Sequence, residues 1–276
     1  MSLSYGPDLS GKTAVVTGGS GVLGACMVKT LAQRGAQVAV LARNEDSAKE
    51  ALSGIRGEVA FFKADVTSLS SLNKAREQVL ARYGKPSILI NGAGGNNPKA
   101  TTDDEFFQDG QQVKDFFSLD ADALKQVFDL NYHGTLLASQ VFARDLLGQE
   151  GACIINISSM NAYRPLTKIP AYSGAKAAVQ NLTMWMATYF SKAGIRVNAI
   201  APGFFVTKQN RSLLYQEDGQ PTKRTGKILN ATPMRRFGEP EELIGTLLYL
   251  VDPKMSGFVT GVIIPVDGGF SAYSGV

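Results

Sequence analysis

Apolar and polar positions along the chain fall into two alternating kinds of segment. Short apolar runs rich in β-branched side chains recur at 12–17, 37–41, 58–63, 87–90, 153–157, 196–200 and 262–266. They are apolar almost throughout, not at every second position, which predicts strands buried on both faces of a parallel sheet. Between them lie segments whose apolar residues fall three and four apart, the spacing of a helix face: 22–34, 46–52, 69–83, 120–147 (one long helix or a bent pair), 171–192 and 239–250. In 69–83 the apolar positions are Leu69, Leu72, Val79 and Leu80. In 171–192 they are Val179, Leu182, Met186 and Tyr189, a stripe suited to the core or to a subunit partner. No repeat or linker divides the alternation. It predicts one doubly wound α/β domain spanning 1–276, with a mostly parallel seven-stranded sheet and helices on both faces.

Two stretches break the rhythm. Residues 96–119 are acidic, with Asp103, Asp104, Glu105, Asp109 and Asp115, and interleave Phe106, Phe107, Phe116 and Phe117. Their start, through Lys99, is expected to wall a substrate site, as long ordered loops of α/β enzymes do. The rest is expected to be a surface excursion anchored to the body by its phenylalanines. Residues 204–236 have no strong period and are basic, with Lys208, Arg211, Lys223, Arg224, Lys227, Arg235 and Arg236. They predict a lid that favours anionic ligands.

Glycines mark where a ligand would sit. The first predicted strand runs into Gly18-Gly19-Ser20-Gly21-Val22-Leu23-Gly24, and a helix follows. A strand, glycine turn and helix in that order give a dinucleotide-binding turn its context. Glycines admit a pyrophosphate close to the backbone, and the helix start offers free N–H groups and a positive dipole end. A second small-residue turn, Asn91-Gly92-Ala93-Gly94-Gly95, ends the fourth strand. After the second strand stand Ala42, Arg43 and Asn44, where a carboxylate would select a ribose 2′-hydroxyl. Arg43 suits a 2′-phosphate, so NADP(H) is favoured and NAD(H) stays open. Asp65 and Val66 are placed to meet the adenine.

Chemistry enters with Tyr172 and Lys176, four residues apart on one face of a predicted helix. A neighbouring ammonium is expected to lower the phenol's pKa and make Tyr172 a general acid or base. Ser159, just past the fifth strand, is placed to hold the substrate oxygen. Asn131 falls in the middle of 120–147, where it would kink the helix and hold a water.

Composition narrows the function classes. The 276 residues are 44% hydrophobic and 19% charged, enough apolar content for a full core. A net charge of +4 without a polybasic run gives no sign of a nucleic-acid partner. Cys26 and Cys153 read as reduced core residues of a cytoplasmic protein. His133 is the single histidine, which argues against His-based metal clusters and Ser-His-Asp triads. No apolar run reaches the roughly 18 residues of a membrane span, and no secretory signal pattern is seen.

The motifs in order, TGGSGVLG at 17–24, Asp65-Val66, NGAG at 91–94, Asn131, Ser159, YSGAK at 172–176 and APG at 201–203, resemble the short-chain dehydrogenase/reductase family. The resemblance covers nearly the whole length, from about residue 11 to 272. It implies a catalytic tetrad of Asn131, Ser159, Tyr172 and Lys176. Lys176 would also bind the nicotinamide ribose, Pro202, Gly203 and Phe205 would bind the cofactor, and Thr207 would meet its carboxamide. Where the family's glycine motif has its middle glycine, this chain has Val22 beside Gly21. That variant, with NGAGGNNPKATT at 91–102 and the ending PVDGGFSAYSGV, is most similar to the short-chain-type D-mannonate oxidoreductases (fructuronate reductases). The likeness implies a keto-sugar acid, with Asn96, Asn97, Lys99 and Arg164 as candidate contacts, and a homotetramer. Rival expectations are a reductase of another polyol, sugar acid or 3-oxoacyl substrate, as in gluconate 5-dehydrogenase, and a non-catalytic dinucleotide-binding regulator.

Overall fold

The computed structural model describes residues 6–110, 112–206 and 211–275. Seven strands form one sheet: β1 (Thr13–Thr17), β2 (Gln37–Ala42), β3 (Val59–Lys63), β4 (Ile88–Asn91), β5 (Cys153–Ile157), β6 (Arg196–Pro202) and β7 (Ile263–Val266). Their order is β3-β2-β1-β4-β5-β6-β7, and every pair is parallel. The helices are α1 (Val22–Gln33), α2 (Glu45–Leu52), α3 (Leu69–Tyr83), α4 (Ala121–Phe128), α5 (Gly134–Leu146), α6 (Pro170–Phe190), α7 (Arg211–Leu214), α8 (Lys223–Ala231), α9 (Ile244–Val251) and α10 (Pro253–Ser256). Among the described residues, no helix is long and apolar enough to cross a membrane.

Strand side chains alternate between faces, so an apolar run feeds two cores at once. Ala14 and Val16 of β1 pack with Met27, Val28 and Leu31 of α1 and Leu247 and Leu250 of α9. Val15 turns the other way, toward Leu72 and Val79 of α3, Phe142 and Leu146 of α5, and Leu182 and Met186 of α6. Each large side chain fully removed from water contributes about 1.5–3 kcal/mol. Cys153 lies in the first of these cores, and burial pushes its thiol up to about 11. Cys26 is only half-buried.

The segment 120–147 takes the second of its two expected forms, a pair of helices. Asp129–His133 between α4 and α5 forms a wider π-type turn. Val179, Leu182 and Met186 of α6 are buried, whereas Tyr189 faces outward, stacked on Trp185 at 4.9 Å. Strand order reverses direction at β1 and β4. Their outgoing loops diverge there and open a crevice at the carboxyl ends, where ligands of such sheets bind.

Candidate active site

Three elements bring Ser159, Tyr172 and Lys176 together. β5 delivers Ser158, whose N–H donates to the carbonyl of Ile200 at 2.8 Å, and then Ser159. The Ser159 hydroxyl accepts from the N–H of Asn161 at 3.3 Å and shares a hydrogen bond with the Tyr172 phenol. α6 starts on Pro170, whose missing N–H costs nothing at a first turn. Two residues later Tyr172 faces the crevice, and Lys176 lies one turn below it. Lys176 is 4% exposed, and its ammonium donates to the carbonyl of Ile157 at 2.8 Å while lying 5.7 Å from the Tyr172 ring centroid.

This geometry corrects the expected acidity of the phenol. Burial raises the Tyr172 pKa, and the Ser159 hydrogen bond opposes that only in part. Burial also lowers the Lys176 pKa, to about 8. Loss of solvation disfavours both charged forms, and the ammonium is turned toward a backbone carbonyl.

Asn131 sits at the centre of the π-type turn, wholly buried. Its amide donates to the carbonyls of Gly95 and Val127 at 2.7 and 2.8 Å and accepts from the Gly95 N–H at 3.2 Å. The expected break in the helix is there, and the amide clasps the Gly94-Gly95 loop. Thr135 donates to the Asn131 carbonyl at 2.8 Å. A Cβ on Gly94 would come within 2.6 Å of Asn131 Oδ1 and 3.1 Å of Lys176 Nζ. Loop, asparagine and lysine therefore meet at one point. His133 lies outside this cluster, paired at the surface with Asp129 at 2.7 Å.

A cleft of about 930 Å³ runs from this point across the crevice. It brings together Gly18, Ser20, Gly21, Val22, Leu23, Arg43, Asn44, Val66, Gly92, Ala93, Gly94, Pro202, Gly203 and Phe205 with Ser159, Tyr172 and Lys176. The glycine turn is shaped for close approach. Gly18 has φ +68°, and a Cβ on it would strike the backbone of Ala93 at 2.7 Å. The start of α1 has no side-chain cap and no acidic residue in its first turn, so its N–H groups suit a pyrophosphate.

Other predicted residues lie elsewhere. Asp65 is turned to its own loop, its Oδ1 accepting from the Thr67 N–H and hydroxyl at 2.9 and 2.7 Å. Asn91 is buried beneath the cleft, donating to Ser139 Oγ and Asn156 Oδ1 at 2.9 and 2.8 Å. Asn96 donates to Thr101 Oγ1 at 3.0 Å, and Asn97 to Gln126 Oε1 at 3.0 Å, so both side chains brace their own loop. Arg164 donates to the carbonyl of Tyr273. Lys99 is exposed and outside the cleft wall. Thr207 and Lys208 lie outside the described residues. Sequence reasoning missed Ser47, Glu50, Leu130, Ile157, Ser158 and Phe204 of the wall. Ser158 was findable as the neighbour of Ser159; Ser47 and Glu50 carry no signal beyond a polar helix face.

The phenylalanines of 96–119 do not anchor it. Phe106, Phe107, Phe116 and Phe117 are 65–79% exposed and meet one another edge to face, Phe117 lying 5.8 and 5.7 Å from Phe107 and Phe116. Polar bonds hold the segment instead. The Asp103 N–H donates to the Lys114 carbonyl, Lys114 Nζ to the Pro98 carbonyl, and Lys227 of α8 pairs with Glu105 at 2.7 Å.

Residues 12–218 match the short chain dehydrogenase family. The chain belongs to that family. An uncharacterized oxidoreductase of Haemophilus influenzae is 53% identical to this dehydrogenase, covering 100% of this chain and 99% of the relative. The uncharacterized oxidoreductase UxuB of Bacillus subtilis is 52% identical over 98% of each chain. A solved structure of a proposed D-mannonate oxidoreductase from Haemophilus influenza with bound NAD superposes on the dehydrogenase with a TM-score of 0.94, at 54% identity over 98% of each chain. The dehydrogenase is thus an oxidoreductase built for a nicotinamide dinucleotide.

Proposed function

We propose that the chain interconverts D-fructuronate and D-mannonate, a ketone and a secondary alcohol of a six-carbon sugar acid. The convergence of Ser159, Tyr172 and Lys176 at the inner end of the cleft carries the ketone–alcohol chemistry. The proposed activity of the Haemophilus relative supports the sugar acid. When bound, the cofactor gives or takes hydride at its nicotinamide ring. Ser159 donates a hydrogen bond to the substrate oxygen, and Tyr172 gives its proton to that oxygen as the ketone is reduced. A phenol kept protonated by burial suits this acid role at neutral pH. Lys176 places its charge beneath the phenol and holds the cofactor ribose. Asn131 fixes the Gly94-Gly95 loop around them.

Gly18, Ser20, Gly21, Val22 and Leu23 hold the pyrophosphate at the start of α1. Val66 and Ala93 flank the adenine. Arg43 and Asn44 reach the adenosine ribose, and Arg43 supports NADP(H), while the NAD bound to the Haemophilus relative supports NAD(H). Lys99, exposed on the loop leaving β4, is the candidate for the substrate carboxylate. The assembly is a cytoplasmic homotetramer.

The test is turnover of D-fructuronate by the purified chain with NADH and NADPH, beside 5-keto-D-gluconate and D-fructose. Preferred reduction of fructuronate, abolished by Tyr172→Phe with dinucleotide binding retained, is expected. Full activity in Tyr172→Phe defeats the mechanism. Dinucleotide binding without turnover of any ketone defeats the enzymatic role and favours a regulator.

A further inference from the structure

Among the described residues, two that are not glycine have a left-handed backbone, Lys168 at φ +75° and Arg235 at φ +54°. Such a conformation is strained for a side chain bearing a Cβ, and it persists only where the surroundings hold it. Arg235 follows α8 and its guanidinium closes that helix, donating to the Asn230 carbonyl at 3.0 Å. Lys168 has no helix end to close. It stands four residues before Tyr172, in the connection from Ser159 to α6, and what it grips lies 65 residues away in sequence.

Three observations locate its role. The Lys168 carbonyl accepts from the Thr102 N–H at 2.9 Å. Its ammonium donates to the Asp103 carbonyl at 2.5 Å. One residue on, the Ile169 carbonyl accepts from the Ser173 N–H at 3.2 Å and so starts the helix that carries Tyr172. With the backbone in this conformation, the Lys168 carbonyl and side chain both bond the same neighbouring segment, at Thr102 and Asp103. The far side of that segment is tied to α8 through Glu105 and Lys227, an exposed pair that contributes little by itself.

From this arrangement we propose that Lys168 is a positioning residue: it registers the 101–119 excursion against the catalytic helix and, because Lys114 of that excursion donates to the Pro98 carbonyl at 2.7 Å, sets the turn at 96–99 on the substrate side relative to Tyr172. It touches neither cofactor nor reacting atoms. The excursion's phenylalanines face water, and polar bonds such as these hold it.

The experiment compares wild type, Lys168→Asn and Lys168→Arg. Asparagine accepts the left-handed backbone and removes the long donor, whereas arginine keeps a donor. Hydrogen exchange over peptides covering 100–119 is expected to accelerate about tenfold or more in Lys168→Asn. KM for D-fructuronate is expected to rise about tenfold, since small misplacements of a binding wall carry costs of that size or more. The turnover number and dinucleotide Kd stay within twofold, and Lys168→Arg restores both readouts. Unchanged exchange in Lys168→Asn overturns the proposal, and so does faster exchange with an unchanged KM. The turnover arm rests on the proposed ketone chemistry; the exchange arm does not. If wild type reduces 5-keto-D-gluconate or D-fructose but not fructuronate, the substrate assignment falls and KM is read on that ketone. If it reduces none, the enzymatic role falls and exchange alone decides for or against Lys168.

Discussion

The ammonium of Lys176 and the ring of Tyr172 lie 5.7 Å apart, yet the ammonium's hydrogen bond goes to the carbonyl of Ile157 at 2.8 Å. The lysine therefore lies beside the phenol without bonding to it, its own proton held by the backbone of β5. Burial leaves it titrating at about 8, close enough to neutrality to show in kinetics.

In the free enzyme, kcat/KM for ketone reduction is expected to fall as pH rises through about 8, because the ammonium is lost there. Lys176→Arg should remove that limb from the profile, since a guanidinium stays charged. The stability sign is opposite. The folded chain binds fewer protons at Lys176 than the unfolded one between about 8 and the ordinary value of 10.5, so this group's destabilising share is relieved as pH rises through that window. Denaturant titrations from pH 7 to 10 on wild type and Lys176→Met separate this share from other groups. A pH-independent kcat/KM over that range refutes the assignment.

Gly94→Ala places a methyl group 2.6 Å from Asn131 Oδ1 and 3.1 Å from Lys176 Nζ. Since neither neighbour can yield without moving the site, kcat/KM is expected to drop about 100-fold. Gly245→Ala, with no atom within 4 Å of the added carbon, is the control and should keep wild-type activity.

Arg43 lines the cleft, and the proposed 2′-phosphate contact is tested there. Arg43→Ala is expected to raise the Kd of NADPH by about tenfold or more, the scale of one charge-assisted contact, and that of NADH by less than about twofold. Fluorescence titration with both dinucleotides reads this directly. Equal losses would remove Arg43 from the 2′-phosphate role.

Arg76 of α3 grips Asp145 of α5 with two bonds of 2.5 Å, and the Asp145 side chain is 3% exposed. Arg76→Ala leaves a buried carboxylate unpaired, a loss of about 3 kcal/mol. That lowers Tm by about 6–12 °C in a chain of this size. Catalysis at 20 °C should be intact, because neither residue approaches the cleft. A Tm within about 2 °C of wild type, under the shift expected for 1 kcal/mol, would show that the pair contributes nothing net.

The sheet and the glycine turn were legible because their signals are local. A run such as Ala14-Val15-Val16 can only be a strand buried on both sides, and Gly18 through Gly24 sits between strand and helix as a phosphate cradle must. The Tyr172–Lys176 spacing was legible for the same reason. The sense of the phenol's shift was not, since it depends on burial by segments far away in sequence. The π-type turn around Asn131 was visible only as a polar residue inside a helical period. The phenylalanines at 106, 107, 116 and 117 misled because apolar residues in a loop ordinarily turn inward. Here, carbonyls and carboxylates had already fixed the loop. Lys168 gave no sign at all, because a left-handed lysine has no signature in composition or period.

All seven strands run the same way, so every connection must climb over a layer before the next strand can join. The cleft consequently gathers its walls from stretches as distant as Gly18 and Phe205. No fragment ending before α6 carries Tyr172 and Lys176, and none ending before β6 carries Pro202 and Gly203 of the cleft wall. A dinucleotide added during refolding should therefore leave early collapse untouched and act only on the last, slowest assembly step, when the two halves of the molecule first meet.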